Sequence, residues 1–213
     1  MGACTSSSAV SKPDDFRDSR STIIDAPTDC FLTHNWADGN HVRVSTINKA
    51  LQKRGLRTWF DDDRMKGQIY KTMARGIENT SSVVVFITRL YMDKVNGDDE
   101  RDNCQLEFAH AVRQLGPQKM VPVVMETDMR DPKLWKGQLG LHLGSHLFVD
   151  FSCVEFGTEA FDQQVKLLET AIRERATGFP VASVDVVSKG KFQHRRSITT
   201  HSNPLAESRK EGV

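Results

Sequence analysis

The chain has 213 residues, enough for one α/β domain with tails and too few for two full domains and a linker. Its 29 Lys and Arg balance 28 Asp and Glu, so the formal charge of +1 supplies no general pull toward nucleic acid, and no nucleic-acid partner is expected. The longest apolar run, at 83–87, falls far below the roughly 20 residues that cross a bilayer, and Cys4, Cys30, Cys104 and Cys153 form no C-x-x-C pair, which excludes a thiol redox motif or zinc knuckle and favours a reducing cytoplasm.

The chain begins Met1-Gly2-Ala3-Cys4-Thr5-Ser6. Gly2 with Ser6 fits N-myristoylation after removal of Met1, and Cys4 is placed for S-palmitoylation. One acyl chain attaches reversibly, whereas two hold stably. Residues 1–28 therefore read as a tether acylated at Gly2 and Cys4 that holds the protein at the cytoplasmic face of a membrane; the plainer alternative is a Ser-rich tail.

From 29 to 175, short apolar runs alternate with amphipathic ones. A first strand is expected at 30–33, then a helix over 38–54 with Val44, Ile47 and Leu51 at helical spacing, stopped by Gly55. A second strand at 56–60 leads to a helix over 67–79 carrying Ile69, Met73 and Ile77. Residues 82–88 have the unbroken Val/Ile/Phe character of a strand buried on both faces. The polar stretch 91–101 reads as a loop, and Asp102 as the N-cap of a helix to about 115 whose apolar face holds Cys104, Phe108, Ala111 or Val112, and Leu115. A fourth strand follows at 120–125, a short helix near 134–139, a fifth strand at 146–149 and a last helix over 158–175. His142 and His146 have the spacing of a metal pair but lack the glutamate of H-E-x-x-H, so they are expected as surface-loop residues and no metal is expected. Residues 177–213 form a basic, Ser/His-rich tail. Five strands and five helices in strict alternation predict a doubly wound α/β sheet.

Such sheets bind ligands at the carboxyl ends of their strands. Thr33-His34-Asn35-Trp36, Asp61-Asp62-Asp63-Arg64, Arg89-Leu90-Tyr91 and Glu107 gather there. Neither G-x-G-x-x-G nor G-x-x-x-x-G-K-[ST] is present, which weakens hydride transfer and nucleotide hydrolysis. Met65 stands where a calcium loop needs its third ligand, and the third strand ends in Thr88 and Arg89 without the carboxylate a phospho-acceptor requires. Glu107 should sit beside the buried stripe of its helix, where a carboxylate partly out of water can accept a sugar hydroxyl and stabilise a cation developing at an anomeric carbon. A solvated helix glutamate is the competing reading.

At these residues the chain resembles a Toll/interleukin-1 receptor (TIR) domain. The likeness runs over about 29–175: Asp29-Cys30-Phe31-Leu32-Thr33-His34-Asn35-Trp36; Gly55-Leu56-Arg57-Thr58-Trp59-Phe60-Asp61 leading into the loop 62–68; Ile77-Glu78-Asn79-Thr80-Ser81; and Asn103-Cys104-Gln105-Leu106-Glu107-Phe108. The resemblance implies a flavodoxin-like three-layer αβα sandwich around a five-stranded parallel sheet of order 2-1-3-4-5, with the domain at 29–176. Many such domains cleave NAD+, and others are non-catalytic adaptors acting through TIR–TIR contacts. In the enzymatic members a glutamate in Trp-Cys-x-x-Glu is essential; it falls here on Glu107, with Asn103 in place of the Trp. By resemblance Phe31, His34, Trp36, Arg64, Met65, Lys66 and Gly67 line the substrate site, Arg64 or Lys66 near the pyrophosphate, while Trp59 and Phe60 belong to the core; Tyr91 at the rim and Cys104 in the glutamate motif are expected among the substrate-binding residues. The implied activity is an NAD+ glycohydrolase giving nicotinamide and ADP-ribose or a cyclic ADP-ribose, with NAD+ as substrate, no separate cofactor, and self-association completing the site in signalling or defence.

Overall fold

The computed structural model describes residues 27–60 and 69–177, apart from the side chain of Ile69. Gly2 and Cys4, the loop residues Arg64, Met65, Lys66 and Gly67, and the tail beyond Thr177 lie outside them.

Five strands, β1 (Cys30–Thr33), β2 (Thr58–Trp59), β3 (Val83–Ile87), β4 (Met120–Val124) and β5 (Val149–Asp150), pair in parallel in the order β2-β1-β3-β4-β5. Six α-helices cover the sheet among the described residues: α1 (Asn40–Lys53), α2 (Ile69–Glu78), α3 (Arg89–Val95), α4 (Asn103–Gln114), α5 (Gly137–Leu143) and α6 (Glu159–Thr177). This is the flavodoxin-like sandwich. Side chains of β3 alternate between its two cores: Val84 and Phe86 pack with Ile47, Leu51 and Val165 from α1 and α6, while Val83, Val85 and Ile87 pack with Phe108 and Ala111 from α4. The strand is apolar at every position because both faces are covered.

Several expectations change. Residues 91–101 are not all loop: Thr88 accepts the Tyr91 N–H at 3.0 Å and starts α3, which buries Tyr91, Met92 and Val95. Two helices therefore lie between β3 and β4, and the five-helix count with strict alternation gives way to six. The short helix near 134–139 is a 3-10 turn at Pro132–Leu134 followed by α5, and His142 sits on that helix beside the Phe108 ring rather than in a loop. The fifth strand starts at Val149, since Leu147 is 91 % exposed, and the second is only Thr58–Trp59. Trp59 and Phe60 are half-buried, Trp59 stacked flat on Phe31 at 4.3 Å between centroids.

Strand order reverses between β1 and β3. The chain leaving β1 turns through left-handed Asp38 (φ 58°) and Gly39 (φ 69°) into α1, and Asn35 is pinned there by Thr88 Oγ1 at 2.7 Å and Asn40 Nδ2 at 2.9 Å, both donating to its Oδ1. The carboxyl ends of β1 and β3 are thus locked together, and α3 and α4 descend from beside them.

Candidate functional site

Residues of a strand alternate between faces, so Thr33 points the same way as Phe31, toward α4. On α4, Asp102 caps the first turn by accepting the Cys104 N–H at 2.8 Å. The buried stripe is Cys104, Glu107, Phe108 and Ala111, spaced i, i+3, i+4, i+7. A carboxylate therefore occupies a core-facing position, with Glu107 only 8 % exposed.

The Thr33 hydroxyl donates to Glu107 Oε2 at 2.6 Å. The Tyr91 hydroxyl lies 3.1 Å from the same Thr33 oxygen. Burial, with Cys104 and Glu107 adding in the same direction, raises the Tyr91 phenol well above its ordinary value, so it stays protonated. Cys104 approaches the His34 carbonyl at 3.6 Å, and burial, followed by Glu107 and Asp102, pushes its thiol up, which makes it an inert thiol rather than a nucleophile.

Glu107 also lines an open groove of about 470 Å³ between α2 and α4. Tyr70, Met73 and Ala74 form one wall; Leu106, His110 and Arg113 form the other. Its floor is mainly apolar. One end carries a polar row in which Arg113 Nη2 donates to His110 Nδ1 at 2.7 Å, leaving His110 Nε2 to donate to Glu78 Oε1 at 3.2 Å.

At the end of β1 four rings stack: Trp36 on His41 at 4.0 Å, His41 on His34 at 5.1 Å and on Phe60 at 5.2 Å. His34 Nε2 and His41 Nδ1 share a proton-bearing contact at 2.8 Å. Burial, and then His41, lower the His34 imidazole to about 3, so it is neutral at ordinary pH.

The structure thus sorts the residues expected at the site. Glu107 lines the groove, whereas Trp36, 52 % exposed and stacked on His41, is not among the residues that line it. Phe31 and Tyr91 have no exposed surface, because strand parity and the burial of α3 turn them inward; they support the wall from behind rather than facing a ligand. Cys104 and His34 are nearly as enclosed. Thr33 was gathered at the strand ends but not named as a substrate-site residue, and Tyr70, His110 and Arg113 were absent from the expected set; the i+3 and i+6 spacing from Glu107 marks the two α4 residues. Among the described residues no cluster of His, Cys, Asp and Glu is arranged to hold a metal ion.

Comparison with known proteins agrees with this architecture. A family model described as the TIR domain matches residues 30–168. The chain is similar to a protein from Methanobrevibacter olleyae named probable 2' cyclic ADP-D-ribose synthase TcpO, with 24 % identity over 115 residues that cover 53 % of this chain and 32 % of the relative. The chain therefore spans about a third of the length of that relative. With the matched region taking in every strand from β1 to β5 and the sheet running 2-1-3-4-5, the chain belongs to the TIR domain family.

Proposed function

We propose that this TIR domain cleaves the nicotinamide–ribose bond of NAD+, releasing nicotinamide and either ADP-ribose or a cyclic ADP-ribose. The observation that carries the reading is Glu107, the one buried carboxylate among the described residues, held by Thr33 at 2.6 Å and bordering an open groove of about 470 Å³ with a mainly apolar floor. The name of the Methanobrevibacter olleyae relative supports an ADP-ribosyl product.

The chemistry asks little of the protein as an acid. When the C–N bond breaks, the pyridinium nitrogen keeps the electron pair and leaves as neutral nicotinamide. The ribose carbon becomes cationic, and Glu107 is the group that offsets that charge. A carboxylate about 4 Å from a unit positive charge, at an effective dielectric near 20, contributes roughly 4 kcal/mol, or about a thousandfold in rate. Attack by the oxygen of water then gives ADP-ribose and releases one proton; attack by an adenosine group of the same molecule gives a cyclic product with the same proton balance. Trp36 and the loop residues Arg64, Met65, Lys66 and Gly67 would cover the dinucleotide, with Arg64 or Lys66 on the pyrophosphate.

A second copy packing near that loop would complete the site, so turnover should climb with protein density. Acylation at Gly2 and Cys4 would supply that density at a membrane; the intact mass of protein made in eukaryotic cells checks it, and an unmodified Gly2 removes this part. The function itself is tested by incubating the full chain with NAD+, free and clustered on liposomes, and following nicotinamide. Release that rises with surface density supports the proposal. No release at any density leaves a TIR module that acts by assembly alone.

A further inference from the structure

Three elements converge on one hydroxyl. Thr33 ends β1, Tyr91 comes from α3 and Glu107 from α4, and the first two have no exposed surface at all. We propose that Thr33 is a positioning residue for Glu107 and that Tyr91 fixes the direction of their hydrogen bond; this rests on the NAD+-cleaving reading above.

Proton counting sets the direction. A threonine hydroxyl has one proton to give. Here it goes to Glu107 Oε2 at 2.6 Å, a separation typical of a hydroxyl on a charged carboxylate. The contact between Thr33 Oγ1 and the Tyr91 oxygen at 3.1 Å can then be made only by the Tyr91 proton. Donation runs one way, from Tyr91 through Thr33 to Glu107.

Orientation follows from the same row. Glutamate has three side-chain torsions, whereas β-branched Thr33 on a central strand is held stiffly at χ1. Anchoring one carboxylate oxygen to that strand aims the group at a fixed point of the groove, which is what a charge-stabilising group needs before bond cleavage. Other titratable groups among the described residues lie along the same helix and groove. Cys104 and the cap Asp102, itself paired with Lys94, precede it on α4; His110 and Arg113 follow it; Glu100 and Arg101 reach the groove from the preceding loop, and Tyr70 from α2.

The test compares the full chain with Thr33→Val, Thr33→Ser and Tyr91→Phe by nicotinamide release, with melting temperature recorded for each. Loss of an aligned donor on a catalytic charge costs on the order of 10- to 100-fold. Thr33→Val should lower kcat by that factor with KM within about threefold. Thr33→Ser should stay within about fivefold, and Tyr91→Phe should fall between. Should Thr33→Val fail to fold, Thr33→Ala replaces it with the same expectation. A folded Thr33→Val with wild-type kcat overturns the proposal, as does an equal loss in the Ser and Val variants. An inactive wild type overturns it together with the reading it rests on, whereas an active wild type with an indifferent Thr33 overturns it alone.

Discussion

Gly76 should not tolerate alanine, although alanine is the better helix former. A Cβ built at Gly76 on α2 would lie 2.7 Å from both Cε2 and Nε1 of Trp59 and 3.0 Å from its Cδ2. The indole has little room to retreat, because Phe31 is stacked on it at 4.3 Å and 12° and is itself fully buried. At an open helical site the change gains about 1 kcal/mol from propensity. Overpacking of a filled contact costs about 1–3 kcal/mol, and a shift of roughly 0.7 Å toward normal carbon–carbon separation puts this site at the upper part of that range. The net expectation for Gly76→Ala is a loss of about 1–2 kcal/mol in urea unfolding, or roughly 2–8 °C in Tm. Because α2 carries Tyr70, Met73 and Ala74 of the groove, the proposed NAD+ cleavage should show a higher KM in this variant. The decisive control is Trp59→Leu, which removes the obstructing ring: in that background Gly76→Ala should stabilise, giving a coupling of about 2 kcal/mol across the cycle. Stabilisation by about 1 kcal/mol in the wild-type background would refute the packing argument.

Other perturbations test the frame and the rim. His34 is lowered from 6.5 to about 3, first by burial and then by His41; the unfolded chain takes up the proton first as pH falls, so the stability from a neutral His34 is complete above about pH 6.5 and drains away toward pH 3. Between pH 7 and 5 this amounts to about 2 kcal/mol at most, with His146 acting in the same direction; His34→Gln should flatten the dependence in urea titrations, and equal slopes for the two proteins would refute it. Arg43 donates to the carbonyls of Met125 at 2.9 Å and Phe151 at 3.2 Å, tying α1 to the chain leaving β4 and β5; Arg43→Met should cost about 1–3 kcal/mol in denaturant, and an unchanged midpoint would show the tie is idle. Phe108→Ala, at a fully buried position of α4, should cost about 3–5 kcal/mol by the same assay, and a loss below 1 kcal/mol would contradict the core assignment.

Strands β1, β3 and β4 were legible because burial on both faces leaves an unbroken apolar run, and α4 because Asp102 announces its start and its stripe is long enough to show a period. α3 was hidden. Its seven residues are too few for periodicity to rise above the charged Arg89, Asp93 and Lys94, and its cap Thr88 reads equally well as the end of β3. At the fifth strand the apolar letters misled, since Leu147 is on the surface and pairing begins only at Val149. The site shows the same division. Glu107 could be singled out from position on one helix, and its resemblance to a known motif sharpened that. Thr33 could not be matched to it, because the two stand 74 residues apart and meet only through sheet topology. Phe31 was placed in the site by resemblance and Tyr91 at the rim by chain order, and neither says which way a side chain turns.

The most direct measurement is the initial rate of nicotinamide release from NAD+ by the wild type and by Glu107→Gln, at matched protein density on the same liposomes. The amide keeps an oxygen for the Thr33 proton and loses the charge, so Tm should agree within about 2 °C while the rate falls on the order of 100-fold or more. Equal rates for the two proteins would contradict a catalytic carboxylate at position 107.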